Sequence, residues 1–125
     1  MRFDWSEYVE LADWLVVNGA TLRSPEAAQR SAVSRAYYGA FHSALALLIR
    51  KDGYQPSGDA KDHGNVTRAY QHHHAAPRRQ IGTWLDRLRD QRRRADYDAE
   101  IVDSAGVAVA SVRNARQVLR YLGTQ

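Results

Sequence analysis

The sequence predicts an all-α fold, a four- to five-helix up-and-down bundle that forms a single domain over residues 1–125. Apolar residues recur at helical spacing along most of the chain, and no segment shows the alternation of a β-strand. The length of 125 residues suits one domain. Hydrophobic residues make up 44% of the chain and charged residues 26%, which is an ordinary composition for a globular protein.

The first half of the chain predicts two helices. The first is expected over 5–17, with a stop signal in the Asn-Gly pair at 18–19. Ser24 as the N-cap and Pro25 at the first helical position predict the start of a long second helix. This helix is expected to break at the Asp-Gly pair at 52–53.

The second half predicts one short and two long helices. Residues 54–62 contain proline, serine and glycine close together and are expected to form a loop, and a short helix follows over 66–70. Pro77 opens the third long helix, and the last helix spans 99–122. In the third long helix the expected core residues are Ile81, Trp84, Leu85, Leu88 and Ala95. In the last helix they are Ile101, Ala105, Ala108, Val112, Ala115, Leu119 and Leu122.

The composition excludes several classes of protein. Because the chain has no cysteine, a disulfide scaffold, a thiolate zinc site and a cysteine nucleophile are excluded. No apolar run reaches the ~18 residues needed to span a bilayer. Charges at Arg2 and Asp4 stand where a signal peptide would be apolar, so we expect a cytoplasmic protein with no membrane partner. Three consecutive histidines at 72–74 lack supporting ligands at a suitable spacing, so we expect no metal and no cofactor.

Basic charge is concentrated in one segment. The formal net charge of the chain is +4. Residues 77–97 contain seven arginines and three aspartates, so this segment alone accounts for the whole net charge. This imbalance indicates a polyanionic partner, phosphate or nucleic acid. The alternative is a solvated helix face on which pairs such as Asp86–Arg89 neutralise each other. The candidate phosphate-binding residues in the densest part of the segment are Arg92, Arg93 and Arg94.

The second helix has two opposite faces of interest. An inward apolar face is expected from its helical spacing, formed by Val33, Tyr37, Ala40, Phe41, Ala44 and Leu48. The opposite face also contains apolar residues and therefore needs a second partner, either another helix of the bundle or a second subunit. Its members are Arg35, Tyr38, His42, Leu45 and Ile49.

Arg35 and His42 form a candidate catalytic pair. They lie on one side of the helix with Tyr38 between them and about 10 Å apart along the axis, so their side chains can converge on one ligand. Histidine transfers protons near neutral pH, and arginine stabilises the charge of a phosphoryl transition state. These groups suit cleavage of RNA by 2′-hydroxyl attack without a metal. The alternative is a packing histidine and an arginine paired with an acid.

Three short motifs between Ser31 and Tyr97 occur together in a characteristic order. Residues 31–42 read SAVSRAYYGAFH, residues 62–64 read Asp-His-Gly, and residues 94–97 read Arg-Ala-Asp-Tyr. Together they resemble the RAYY..FH segment, the His-Gly element and the R..ADY signature of the HEPN family (higher eukaryotes and prokaryotes nucleotide-binding), in its small prokaryotic stand-alone type.

The resemblance implies a helical bundle that forms a homodimer around a groove and binds RNA or a nucleotide. Many HEPN proteins are metal-independent endoribonucleases with an Arg-x(4–6)-His motif, often toxins paired with a minimal nucleotidyltransferase antitoxin. Arg35 and His42 match this motif, which makes His42 the acid/base group and Arg35 the phosphate-stabilising group. In many such enzymes the pair lies on a later helix, whereas residues 92–97 here contain no histidine. A non-catalytic module that binds a nucleotide or a nucleotidyltransferase is therefore the second candidate function.

The same motifs add candidate groove residues, namely Tyr38, His63, Asp96 and Tyr97. His63 is expected to cap the helix after the loop, with a position in the groove as the alternative. Tyr97 is expected to pack within the bundle, and the resemblance adds the hypothesis that it is a target of nucleotidyl transfer. The aromatic residues lie mostly on core stripes, so no stacking platform for single strands is expected. A third function class is an assembly domain with a dimer interface formed by Tyr38, Leu45 and Ile49.

Overall fold

Five α-helices, with the long helix α2 at their centre, build the part of the chain that the computed structural model describes, residues 2–125. Within these residues there is no β-strand, and the predicted all-α bundle is confirmed. No helix among them is both long enough and apolar enough to cross a membrane. The helices are α1 (Ser6–Asn18), α2 (Pro25–Asp52), α3 (Lys61–Gln71), α4 (Ala76–Tyr97) and α5 (Ser104–Leu122), and a 3-10 turn (Gly19–Thr21) follows α1.

Helix α2 contacts each of the other four helices and supplies the middle of the core. All six residues predicted for its inward face are buried. From α4, the predicted core residues Ile81, Leu85 and Leu88 are fully buried against it, whereas Trp84 is only partly buried and packs edge-on against Tyr121 of α5. The apolar spacing therefore identified the core correctly along both helices.

The ends of α2 follow local signals. Pro25 occupies the first turn as predicted, although the Ser24 side chain makes no capping hydrogen bond. The helix ends at Gly53, which adopts the left-handed conformation with φ 69°, a region that glycine enters at little cost. Both boundaries were predictable because each depends on residues within the helix end itself.

Helix α3 begins earlier than the sequence predicts, at Lys61 rather than near residue 66. The reason is the carboxylate of Asp62, which accepts hydrogen bonds from the Tyr54 hydroxyl at 2.7 Å and from the backbone N–H groups of Ser57 and Gly58 at 2.9 Å each. These bonds hold the preceding loop against the first turn of α3. They also lower the pKa of Asp62 to about 2, so the carboxylate stays charged.

Helix α5 begins later than predicted, at Ser104 rather than near residue 99. Asp103 caps it by accepting a hydrogen bond from the Gly106 N–H at 3.1 Å. In the connection that precedes α5, the carbonyl oxygens of Ala95 and Ala99 accept hydrogen bonds from the Arg30 guanidinium of α2. These bonds hold the α4–α5 connection in a non-helical path. Two predicted seam residues are therefore misplaced, because Ile101 lies outside the helix and Ala105 is exposed. The buried residues of α5 are Ala108, Ser111, Val112, Ala115 and Val118.

The directions of the helices bring the start of α3 beside the middle of α2. His63 meets Tyr37, and Tyr70 donates a hydrogen bond to the carbonyl oxygen of Ala44 at 2.7 Å. Helix α3 therefore runs in the same direction as α2, and the loop between them returns along the bundle. Helix α4 runs in the opposite direction, which places its second half next to the same part of α2.

Candidate functional site

Four of the predicted site residues come together from three helices. Tyr38 and His42 lie on α2, His63 lies in the first turn of α3, and Arg92 lies on α4. The ring centroid of Tyr38 is 6.2 Å from that of His42 and 6.2 Å from that of His63, and the guanidinium carbon of Arg92 lies 5.7 Å from the Tyr38 centroid. We refer to these four residues as the histidine–arginine cluster.

His63 packs against α2 and does not cap α3, so the expected capping role is wrong. The residue before α3 is Ala60, and the carboxylate of Asp59 accepts a hydrogen bond from the Lys61 N–H at 2.8 Å. The His63 ring instead stacks on Phe41 with 4.3 Å between centroids, and its Nδ1 atom forms a short hydrogen bond with the Tyr37 hydroxyl. The capping role of His63 was wrongly inferred because the carboxylate of its neighbour, Asp62, already binds the loop before α3.

The hydrogen bond to Tyr37 determines the tautomer of His63. Tyr37 is fully buried, and burial raises the pKa of its hydroxyl, so this group keeps its proton. No other partner for that hydroxyl exists among residues 2–125, so Tyr37 donates and Nδ1 of His63 accepts. In the neutral ring the remaining proton is therefore on Nε2, which makes this atom a donor.

Both histidines of the cluster favour the neutral form. Burial lowers the pKa of His42, whose ring stacks on the indole of Trp5 with centroids 3.8 Å apart. Burial also lowers the pKa of His63, and the positive charges of Arg92 and Arg89 lower it further. The charge of Asp62 acts in the opposite direction on His63 but is the smallest of these effects. The cluster is thus an electropositive site that contains two neutral imidazoles at neutral pH.

Arg92 and Arg89 supply most of this positive potential. The Nε atoms of both are buried and have no hydrogen-bond partner within residues 2–125. The side chain of Arg92 is only 14% exposed, lies over the rings of Tyr37 and Tyr38, and meets the Asp96 carboxylate at 3.4 Å. The buried Nε atoms are closed to a ligand, but the positive charge of the two guanidinium groups beside the cluster favours an anion.

Arg89 is a site residue that the sequence reasoning missed. In the sequence it looks like the i,i+3 partner of Asp86, but no ion pair joins these two side chains in the described chain, where the i,i+4 pairs on α4 are Arg92–Asp96 and Arg94–Asp90. Its proximity to His63 follows from the packing of α3 on α4, which nothing in the local sequence of α4 indicates.

The three consecutive arginines do not form one surface. Because successive residues of a helix point about 100° apart, only Arg92 turns toward the cluster. Arg93 is exposed beside a depression of about 270 Å³ that Asp86, Arg87, Arg89 and Asp90 also line. Arg94 points elsewhere and forms an exposed ion pair with Asp90 at 2.9 Å.

Tyr97 is the last residue of α4, and its side chain is 79% exposed. The expectation that it packs within the bundle is therefore wrong. Its backbone position follows Asp96, which binds Arg92, but its ring points into solvent. An exposed hydroxyl is consistent with the modification hypothesis and does not test it.

The Arg35 side chain lies against helix α1. It is exposed, and its guanidinium carbon lies 5.3 Å from the ring centroid of Tyr8 on α1. Within the described residues it has no ion pair and no side-chain hydrogen bond, so the alternative of a structural Arg–acid pair is wrong. Arg35 thus lies at the edge of the histidine–arginine cluster with its donors unused.

The second face of α2 is covered mainly by another part of the same chain. Tyr38 and Leu45 pack partly against the core, and of the aliphatic and aromatic residues of this face only Ile49 is substantially exposed, at 44%. Helix α1 comes close because residue 39 is glycine, since a Cβ atom there would lie 2.7 Å from Cγ2 of Val9. This close approach places Trp5 over His42 and Tyr8 under Arg35.

No group of three histidine, aspartate or glutamate side chains among residues 2–125 is arranged to hold a metal ion. Of the three consecutive histidines, His73 accepts a hydrogen bond from the Ala75 N–H at 3.0 Å and stacks on His74. The segment therefore closes the turn between α3 and α4.

Comparison with known proteins finds no family model, no curated protein and no solved structure that matches this chain.

Proposed function

We propose that this chain is a HEPN-type module that binds RNA at the histidine–arginine cluster and cleaves it as a metal-independent endoribonuclease. The observation that supports the proposal best is the convergence of two neutral histidines and the guanidinium group of Arg92 around the Tyr38 ring, with the positive charge of Arg89 also acting on His63. An anion complements this positive charge, and a phosphodiester is the anion that also gives the histidines a reaction to perform.

The histidines have suitable properties for proton transfer. A neutral His42 can accept the proton of a ribose 2′-hydroxyl while the 2′ oxygen attacks phosphorus. A bound phosphate favours protonation of His63 at Nδ1, with the Tyr37 hydroxyl turning to accept from this N–H, and the imidazolium then gives its Nε2 proton to the leaving 5′ oxygen. Bond formation at the 2′ oxygen and loss of the 5′ oxygen leave a 2′,3′-cyclic phosphate and a 5′-hydroxyl. Arg92 and Arg89 stabilise the negative charge on the phosphoryl oxygens during this step.

The remaining predicted features extend the proposal. Arg35, with its unused donors, binds the RNA backbone beside the cluster, and Arg93 and Arg94 provide weaker, solvent-screened attraction. The motif resemblance supports a homodimer whose groove contains the cluster, a cytoplasmic location and a nucleotidyltransferase antitoxin as a protein partner. Tyr97 is then the candidate target of nucleotidyl transfer, and addition of AMP to this residue in the presence of such a partner and ATP is the result that tests it.

Cleavage of a labelled single-stranded RNA in EDTA tests the proposal. We expect the wild type to produce 2′,3′-cyclic phosphate ends, and His42→Ala to reduce the rate by about 100-fold or more, the usual contribution of an acid/base group. Arg92→Gln should reduce both binding and cleavage. The matched control is Arg94→Gln, which removes the same charge from the same helix at an exposed position and should change the rate by no more than about twofold.

A non-catalytic module is the second candidate, because Trp5 covers one face of His42 and the Arg35 guanidinium lies over the ring of Tyr8. RNA or nucleotide binding that depends on Arg92, with the RNA left intact, would favour it. Dimerisation with no polyanion binding would leave an assembly domain and would contradict both proposals.

A further inference from the structure

An aromatic cluster at the N-terminus lies directly beside the histidine–arginine cluster. The rings of Phe3, Trp5 and Tyr8 pack edge to face, with centroids 5.0 Å apart for Phe3–Trp5 and 5.4 Å apart for the other two pairs. Trp5 also stacks on His42 at 3.8 Å. The two clusters are therefore continuous, and any chain bound at the histidines passes close to these rings.

Phe3 is the exposed member of this aromatic cluster. Its ring is 50% exposed, whereas Trp5 and Tyr8 are half-buried against α2. Because two neighbouring rings hold Phe3 by edge-to-face contacts, its orientation is defined although half of its surface meets solvent. It is thus an exposed aromatic side chain held in a defined orientation, the kind of group on which a planar ligand can stack.

The charges next to these rings favour an anion. Arg35 lies over Tyr8, is exposed, and has neither an ion pair nor a side-chain hydrogen bond within residues 2–125. The carboxylate of Asp4 in the same segment is bonded locally, since it accepts hydrogen bonds from the Ser6 N–H at 3.0 Å and the Ser6 hydroxyl at 2.7 Å. Phe3 and Arg35 both lie against the ring of Tyr8, so one tyrosine joins an exposed aromatic side chain to an unused guanidinium group.

We propose that this place is a nucleotide subsite, in which an unpaired RNA base stacks on Phe3 while the phosphate of the same strand binds Arg35. An apolar protein partner covering Phe3 would desolvate Arg35 without giving it an acceptor, which is unfavourable, whereas a nucleotide satisfies both groups. Bases within a duplex already stack on both faces, so the subsite selects single-stranded or looped RNA. This inference rests on the proposed function and names its substrate class.

Fluorescence anisotropy with a labelled 2′-O-methyl RNA tests the subsite, because such an RNA cannot be cleaved by 2′-hydroxyl attack. Phe3→Ala should weaken binding of the single strand by roughly 5- to 150-fold, the loss expected for one stacked base. Phe3→Tyr keeps the flat ring and should bind within about twofold of the wild type. The control is Trp14→Ala, which removes a 59% exposed aromatic ring from a part of α1 outside this cluster and should not change binding.

Duplex RNA of the same sequence separates stacking from general charge attraction. We expect the wild type to bind the duplex more weakly than the single strand and Phe3→Ala to leave duplex binding unchanged. Equal single-strand binding by Phe3→Ala and the wild type, with binding still lost in Arg92→Gln, would overturn the subsite and leave the proposed function standing. If Arg92→Gln also binds like the wild type, or if the wild type does not bind RNA, both proposals fail.

Discussion

The hydrogen bond between Tyr37 and His63 links the core to the candidate site, and Tyr37→Phe removes it without changing the shape of the core. Tyr37 is fully buried and its hydroxyl has one partner, so the loss is that of a single buried hydrogen bond, typically about 0.5–1.5 kcal/mol. His63 is half-buried, so water can replace part of the interaction at Nδ1. We therefore expect the free energy of unfolding to fall by about 1 kcal/mol.

This cost corresponds to a measurable shift in melting temperature. With an unfolding entropy of about 2.1 cal/mol/K per residue, a domain of this length loses about 4 °C for each 1 kcal/mol. A second effect distinguishes the bond from ordinary core packing. As an acceptor from Tyr37, the Nδ1 atom of His63 is held unprotonated, so loss of the donor should raise the pKa of His63 in an NMR titration.

Tyr70→Phe is the matched control. Tyr70 is also fully buried, and its hydroxyl donates to the carbonyl oxygen of Ala44 at 2.7 Å, without contact to His63. Both variants should lower the melting temperature by a similar amount, but only Tyr37→Phe should move the pKa of His63. A Tyr37→Phe protein with an unchanged melting temperature and an unchanged His63 titration would refute the assignment of this hydrogen bond.

Three further predictions concern the packing and charge of the site. Trp5→Ala exposes the ring of His42, and because burial lowers the pKa of this histidine, its pKa should rise toward 6.5 in an NMR titration; an unchanged value would contradict the desolvation argument. Gly39→Ala places a Cβ atom 2.7 Å from α1, so an overpacking cost of about 1–3 kcal/mol exceeds the ~1 kcal/mol gain in helix propensity. Urea unfolding should show the net loss, whereas a stabilised variant would show that α1 does not lie this close. Folding lowers the pKa values of His42 and His63, so just below pH 6.5 the unfolded chain binds more protons than the folded chain. The free energy of unfolding should therefore reach its full value above pH 6.5 and decrease as the pH falls below 6.5. Melting temperatures from pH 7.5 to 5 check this, in a range well above the pKa of Asp62, and a flat profile would contradict it.

Helix positions were predictable from the sequence wherever the signals were local. The inward face of α2 follows from the spacing of its apolar residues, and its ends follow from Pro25 and Gly53. The starts of α3 and α5 were not predictable in this way. Asp62 binds a loop that precedes it, and Arg30 of α2 binds carbonyl groups more than 60 residues later in the chain. Such contacts exist only after the helices have packed.

The candidate site was predictable only along a single helix. The side of α2 with Arg35, Tyr38 and His42 follows from helical geometry, but the spacing could not show that Tyr8 packs against Arg35 and Trp5 against His42. The prediction that the chain has no stacking platform for single strands was based on the aromatic residues of the helical core stripes. It missed Phe3, which precedes α1 and therefore lies on no stripe.

The arginine-rich segment shows why charge composition alone does not locate a binding site. Seven arginines between residues 77 and 97 indicate an anion, but the helix distributes them around its circumference. Arg94 lies in water and is paired with Asp90, so salt and solvent screen its charge. Arg92 and Arg89 have buried Nε atoms and act on His63, and the lower dielectric there strengthens the attraction between their charge and an anion. Position relative to the core, and not the number of charges, therefore determines which arginines of α4 can act on a bound phosphate.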